Sequence, residues 1–158
     1  MSLKALPQVG FIGNSCPGGS GGAVPVDKIV YFETDWNTNF SELRVRSIPG
    51  TGSHRFPFSV PNDFSLPLEA YIEALPLADF TDEDIDLISE YAGQGENFQT
   101  HAETNTTGVY SGLAQKWGKL DVSSVLSSLS ASDVGGLQVD HNSIGTTVYY
   151  GRLVLRYR

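Results

Sequence analysis

Three features of this 158-residue sequence could carry chemistry: a serine between glycines, three histidines and an acidic run. Gly18–Gly22 reads Gly-Gly-Ser-Gly-Gly, which formally matches the G-x-S-x-G pattern of a nucleophilic serine. That pattern needs a preceding strand and a following helix, whereas Cys16-Pro17 precedes it here and Ala-Val-Pro follows. We interpret Gly18–Gly22 as a loop and Cys16 as a structural or incidental thiol rather than a nucleophile.

The histidines, His54, His101 and His141, lie far apart in the sequence and show no HxxxH or HxH spacing. A metal-binding or general-base role would need the fold to gather them, and we expect ordinary histidines instead. No pair of carboxylates is placed convincingly for glycoside hydrolysis. The sequence therefore predicts a protein that is not an enzyme and that uses no metal or other cofactor.

Eight acidic residues fall between positions 79 and 103, a segment that contains no lysine or arginine. Oxygen-rich clusters can hold Ca²⁺, but the glycine of an EF-hand loop is missing here. We therefore favour a solvated or partner-facing acidic surface that includes Asp82, Asp84 and Asp86, and keep Ca²⁺ as the alternative. The last predicted strand carries Arg152, Arg156 and Arg158. This asymmetry suits complementary contacts between subunits, which raised salt should weaken.

The overall charge of −8 and pI near 4.7 argue against nucleic-acid binding and against docking on anionic lipid. One cysteine rules out an internal disulfide framework and a CxxC zinc site. The sequence shows no apolar run long enough to cross a membrane and no secretory signal, so we expect no membrane insertion.

Aromatic residues offer a further possibility, a carbohydrate platform built from Trp36, Trp117 and Tyr149. Such rings stack on sugars, but aromatic residues at strand spacing more often belong to a core or a protein interface. Sugar binding is therefore the alternative here.

We predict that residues 1–26 form an extended amino-terminal arm, because the prolines and glycines throughout this segment forbid a long helix or a continuous ladder. A polar linker would not carry apolar residues, yet this arm does. We predict that they bind a partner: Leu3, Leu6, Val9, Phe11 and Ile12.

Residues 27–158 are dominated by a period of two, which predicts about eight short strands. The clearest are 28–33, 42–48, 54–60, 68–75, 84–91, 106–111, 134–141 and 146–158. Pro57 favours an edge or a bulge, and Gly151 favours a bulge in the last strand. In that strand the period places Tyr149, Leu153, Leu155 and Tyr157 on one face.

One segment departs from this pattern. Val122, Val125, Leu126 and Leu129 follow helical spacing, and Asp121 precedes them as a possible N-cap. The sequence thus predicts one short helix within an all-β, jelly-roll-like antiparallel β-sandwich.

Residues 53–158 resemble small jelly-roll domains of bacteriophage structural proteins and related uncharacterised bacterial proteins. The resemblance is carried by scaffold residues, namely 55–64, 84–87, 95–97, 117–122, 133–137 and 149–157. It implies a structural or binding module, often oligomeric.

The combined prediction is a virion or particle subunit of the capsid decoration or cement type, assembled in a host cytoplasm. Its partners would be other copies, with a trimer as our guess, and other particle subunits. The alternative is a carbohydrate-binding or receptor-binding module, which could be secreted.

Overall fold

The computed structural model describes residues 26–33, 35, 38–40, 43–83, 85–106, 110–142 and 144–158. For residues 38–40, 43–44 and 82–83 we consider the backbone alone. The predicted arm residues Leu3, Leu6, Val9, Phe11 and Ile12 lie outside the described residues, as do Cys16, Trp36 and Asp84. The arm and its boundary at residue 26 therefore stay predictions.

The regular secondary structure of the described residues is almost entirely strand, as the period of two predicts. The strands are β1 (Lys28–Phe32), β2 (Thr38–Phe40), β3 (Leu43–Ile48), β4 (Thr51–Ser59), β5 (Pro67–Pro76), β6 (Phe80–Glu83), β7 (Ile85–Ala92), β8 (His101–Asn105), β9 (Tyr110–Gly112), β10 (Gly118–Asp121), β11 (Val134–Asn142) and β12 (Val148–Tyr157). A single 3₁₀ turn, Ser123–Val125, interrupts them.

These strands form two antiparallel sheets and a small ribbon. The larger sheet has the order β10-β5-β12-β3-β2, and β1 pairs with the second half of β12. The smaller sheet has the order β4-β11-β7-β8, and β6 pairs with β9. The fold is therefore all-β and sandwich-like, with one continuous apolar core made by residues of both sheets.

The core consists of alternate residues, because successive side chains of a strand point to opposite faces. Phe56, Phe58 and Val60 are buried together, as their spacing predicts, and β4 is an edge strand of its sheet, which suits Pro57. Gly135 lies opposite both Phe58 and Tyr91, whose ring centres are 5.9 Å apart. A side chain at Gly135 would collide with Tyr91 Cβ at 2.4 Å, so glycine is needed for this contact.

The predicted face of the last strand is wrong in its first half. The pairing of β12 with β5 shifts between Tyr150 and Leu153, which confirms the irregularity expected at Gly151. One extra residue there reverses the alternation. Tyr150 is therefore buried with Leu153, and Tyr149 points to the opposite side.

The predicted helix over 121–129 is also wrong, although its burial pattern is right. Val122, Val125, Leu126 and Leu129 are all buried, but only the 3₁₀ turn forms. Serines fill the remaining positions and hydrogen-bond elsewhere: the hydroxyls of Ser127 and Ser128 both donate to Glu103 at 2.7 Å. Such competing bonds disfavour a helix this short.

The predicted strand over 106–111 is present only at its end, as β9, and residues 107–109 lie outside the described part. Strand β8, which precedes β9, was not predicted. Its inward positions are the polar His101, Glu103 and Asn105, so it has no apolar alternation to recognise.

Candidate functional site

The three histidines occupy separate environments. His141 is buried, with Nδ1 2.8 Å from the Pro49 carbonyl oxygen and Nε2 2.8 Å from the Tyr150 hydroxyl. Because a carbonyl only accepts, Nδ1 carries the proton and Nε2 accepts from Tyr150. This pair links a strand of each sheet, and burial lowers the pKa of His141 and raises that of Tyr150.

His54 also faces inward and pairs with Val139, two residues before His141 on β11. Burial and the nearby Arg46 lower the pKa of His54 to about 4, although Asp35 acts in the opposite direction. Arg46 is partly buried, and its Nε has no hydrogen-bond partner among the described residues. His141 thus hydrogen-bonds to a carbonyl and a hydroxyl group, not to a carboxylate of the kind that orients a general base.

His101 lies at the opposite end of the smaller sheet. It stacks on Tyr91 with ring centres 5.4 Å apart and lies 3.3 Å from Glu96. Tyr91 is opposite Gly135, six residues along β11 from His141, so the two histidines are about 20 Å apart along the strands. The fold therefore does not gather the three rings.

The acidic segment is spread over several surfaces. Asp86 points outward and accepts a hydrogen bond from Asn142 Nδ2 at 2.6 Å, whereas Glu103 points inward. Hydrogen bonds from Ser127 and Ser128 outweigh the desolvation of Glu103 and lower its pKa. Asp82 lies on β6, but its side chain is not described. Among the described residues, no group of three or more potential ligands could hold a metal ion.

The arginines of β12 are engaged within the chain. Arg152 makes a two-pronged contact with Glu73, at 3.1 Å from Nε and 2.8 Å from Nη2. Arg156 and Arg158 both reach Asp27, at 2.5 and 2.7 Å, and lower the pKa of its carboxyl group. All three arginines are thus engaged within one copy, by two carboxylates, so a contact with the acidic segment of another copy would have to compete with these ion pairs.

Two aromatic candidates share the outer face of the larger sheet. By the register, Trp117 precedes Gly118 and lies beside Leu75, which pairs with Tyr149. Trp117 is 46% exposed and Tyr149 is half-buried. The bulge at Gly151 comes close to Trp117, since a Cβ there would lie 3.6 Å from the indole.

Charged and aromatic side chains cover the rest of this outer face. We call it the charged face, and it includes Tyr31, Glu69, Tyr71, Glu73, Lys119 and Arg152. Lys119 Nζ lies 3.9 Å from the ring centre of Tyr71, and the Arg152 guanidinium lies 4.5 Å from that of Tyr31. Lys119 also pairs with Glu69 at 2.6 Å. Beneath this layer Val154 is only 1% exposed. Cations held over rings cover the apolar sheet at this point.

The smaller sheet has a different outer surface, with a groove of about 410 Å³. We call it the groove, and its lining consists of Arg55, Pro57, Ala92, Glu96, Phe98, Val134, Gly135 and Gly136. Phe98 is 62% exposed and Val134 58%. Gly136 keeps its floor low, because a Cβ there would meet Arg55 Cδ at 2.8 Å.

The groove was missed at the level of sequence. Its signals were Gly135-Gly136 inside a strand, which indicates a close approach, and Phe98 in a polar loop. Neither is diagnostic until the pairing of β4, β11 and β7 brings the distant segments together.

Comparison with known proteins found nothing similar: no family model, no curated protein and no solved structure matched the chain. The resemblance of residues 53–158 to phage jelly-roll domains therefore remains a prediction. Within the described residues, no helix has the length and apolarity needed to span a membrane.

Proposed function

We propose that this chain is a non-enzymatic structural protein, a jelly-roll subunit of a virion or other particle that acts in decoration or cementing. Its arm would make the contacts with neighbouring copies and with other particle subunits. The resemblance of residues 53–158 supports this class of protein. The engagement of His141 and His101 within the fold is also more consistent with a scaffold than with catalysis.

One observation carries the proposal: apolar side chains are exposed at the start of the described residues, next to the predicted arm. Val26 is 64% exposed, and the outward residues of β1, Ile29 and Tyr31, are exposed as well. The arm adds further apolar residues in the sequence, and exposed apolar surface of this kind is unfavourable in water. Subunit contacts would bury it.

The charge distribution agrees with contacts made through the arm. Residues 1–25 contain Lys4 and no acidic residue, so residues 26–158 hold 9 of the 10 basic and all 18 acidic residues. The arm is therefore +1 and the remainder −9. Two such domains repel one another at their surfaces, whereas an arm from one is attracted to the other.

The test is the molar mass of the full chain by light scattering. Phe11→Asp with Ile12→Asp should reduce an oligomer, trimeric in our proposal, to a monomer. Gln8→Asp with Asn14→Asp is the matched control, because it adds the same charge at polar positions of the arm, and it should keep most of the mass. A wild-type chain that stays monomeric at every concentration would refute the proposal.

A second candidate function is carbohydrate or receptor binding, with the particle or the extracellular space as its setting. It is favoured by the common placement of Trp117 and Tyr149 on one face across Leu75. A glycan array probed with and without Ca²⁺ tests it. Binding that is lost in Trp117→Ala would support it, and an array without signals above background would count against it.

A further inference from the structure

The groove combines apolar surface with a floor of glycine backbone. Phe98 and Val134 are the most exposed large apolar residues of the smaller sheet and its loops, and both line the groove. Pro57 is exposed beside them. Apolar side chains clustered around a depression are typical of a surface that a partner covers.

The loop that carries Phe98 is held in place by its own hydrogen bonds. Glu96 accepts from the Gly93 amide at 2.8 Å, and the Thr100 amide donates to the Asn97 carbonyl at 3.0 Å. Gln99, in the left-handed region at φ 71°, donates to Glu90. Phe98 is thus presented by a structured loop, which reduces the entropy lost on binding.

From these features we propose that the groove binds the amino-terminal arm of a second copy of this chain. This inference rests on the proposed function and names the surface at which the arm would dock. The arm matches the groove in character, because it supplies Leu3, Leu6, Val9, Phe11 and Ile12 for the apolar surface. Its prolines and glycines disfavour a helix, so the sequence predicts an extended segment of a kind that would fit an open groove.

The charges also match. The groove lies at the end of the segment that has eight acidic residues and no basic one, and Arg55, its basic residue, is paired with Glu90 at 2.7 Å. Glu96 lines the groove and is 42% exposed at its side chain. Lys4, the one basic residue among residues 1–25, would supply a positive charge opposite this acidic surface.

The arm leaves the domain close to the end at which the groove lies. Lys28 binds Asp63 at 2.6 Å, and the adjacent Asn62 accepts from Ser132, two residues before Val134. The 25 residues before Val26 can span at most about 80 Å, which is enough to reach a neighbouring copy. Exchange of identical arms between copies is a low-cost route to a closed oligomer.

Groove variants of the full chain provide the first test. Phe98→Asp with Val134→Asp should reduce the molar mass to that of a monomer, at unchanged circular dichroism. Leu113→Asp is the matched control, because Leu113 is equally exposed, at 58%, but lies outside the groove. A groove variant that keeps the wild-type mass would overturn the inference.

Complementation identifies the occupant. The arm variant (Phe11→Asp, Ile12→Asp) retains an intact groove, and the groove variant retains an intact arm. Each should be monomeric alone, whereas a mixture should form a mixed dimer that retains one intact contact. If neither the mixture nor its dilution series associates, the arm does not dock in the groove.

Cross-linking locates the contact. A photoreactive maleimide on Cys16, the only cysteine, labels the arm without any substitution. In a mixture of ¹⁴N and ¹⁵N chains we expect cross-links to the groove between isotopes. Cross-links confined to one isotope would mean that the arm folds back on its own chain, and the inference would fail. Loss of mass in the arm variant, with cross-links elsewhere, would overturn this inference and leave the proposed function intact.

Discussion

The outer faces of the two sheets differ in whether side chains of the same chain cover their apolar surface. On the charged face, Arg152 reaches both Glu73 and the Tyr31 ring, and Val154 is closed off beneath this layer. In the groove, glycines remove side chains, and Phe98 and Val134 remain uncovered. Most of the first face is covered by side chains of the same copy, although Trp117, Ile29 and Tyr31 keep part of their surface exposed, whereas in our proposal a partner covers the second face.

The formal charge of individual residues in the sequence is therefore a poor guide to a binding surface. The arginines of β12 are the most conspicuous cations in the sequence, yet all three form ion pairs within the chain, with Glu73 or Asp27. Partly exposed ion pairs such as these contribute little energy and offer little to a partner. Exposed apolar area carries more free energy per residue.

The largest loss of stability is expected at Gly135, in the floor of the groove. Gly135→Ala should lower the free energy of unfolding by about 3 kcal/mol, because the added Cβ collides with Tyr91 and with the Glu90 carbonyl oxygen. Gly136→Ala is the matched control, since its Cβ meets only the flexible Arg55 side chain. Urea denaturation measures both, and equal losses would contradict the stated role of Gly135.

A smaller loss of unfolding free energy is expected at the hydrogen bond between Tyr150 and His141, which joins the two sheets. Tyr150→Phe removes the donor to His141 Nε2 and leaves that atom buried without a partner. We expect a loss of about 2 kcal/mol of unfolding free energy. Tyr149→Phe, on the outward side of the same strand, is the control and should cost less. An unchanged midpoint of denaturation for Tyr150→Phe would show that the hydrogen bond does not join the sheets.

Lowering the pH should gradually reduce the free energy of unfolding, because His54 and His141 lie at the junction between the two sheets. Both inward histidines have folded-state pKa values below 6.5, so the unfolded chain takes up their protons first. Their effect on stability is absent above about pH 6.5 and grows as the pH falls; for His54 it levels off near pH 4. Arg46, Asp35 and Asp140 are the charged groups that act on these rings. His54→Gln should flatten the curve between pH 6.5 and 4, and an unaltered curve would contradict the assignment.

The smallest effect is expected on the charged face. Glu73→Gln should cost about 0.5 kcal/mol, because the ion pair with Arg152 is partly exposed and screened. Self-association should be unchanged by this substitution. Weaker association in Glu73→Gln would mean that the charged face takes part in subunit contacts, as the sequence alone suggested.

The strands could be predicted because alternation is local: the buried Phe56, Phe58 and Val60 are read directly from their spacing. The bulge at Gly151 was also visible, but its consequence for Tyr149 depended on the pairing with β5. The predicted helix over 121–129 is wrong because its serines hydrogen-bond to Glu103, which lies 24 residues before Ser127 and 25 before Ser128. The groove depends on contacts between β4, β11 and β7, which no local pattern encodes.

The most direct test of this account compares the two faces in the full chain. Light scattering over a range of concentrations would give the molar mass of Phe98→Asp, in the groove, and of Trp117→Asp, on the outer face of the larger sheet, beside the wild type. We predict an oligomeric wild type, a monomeric Phe98→Asp and a Trp117→Asp protein of wild-type mass. A monomeric Trp117→Asp beside an oligomeric Phe98→Asp would contradict the account.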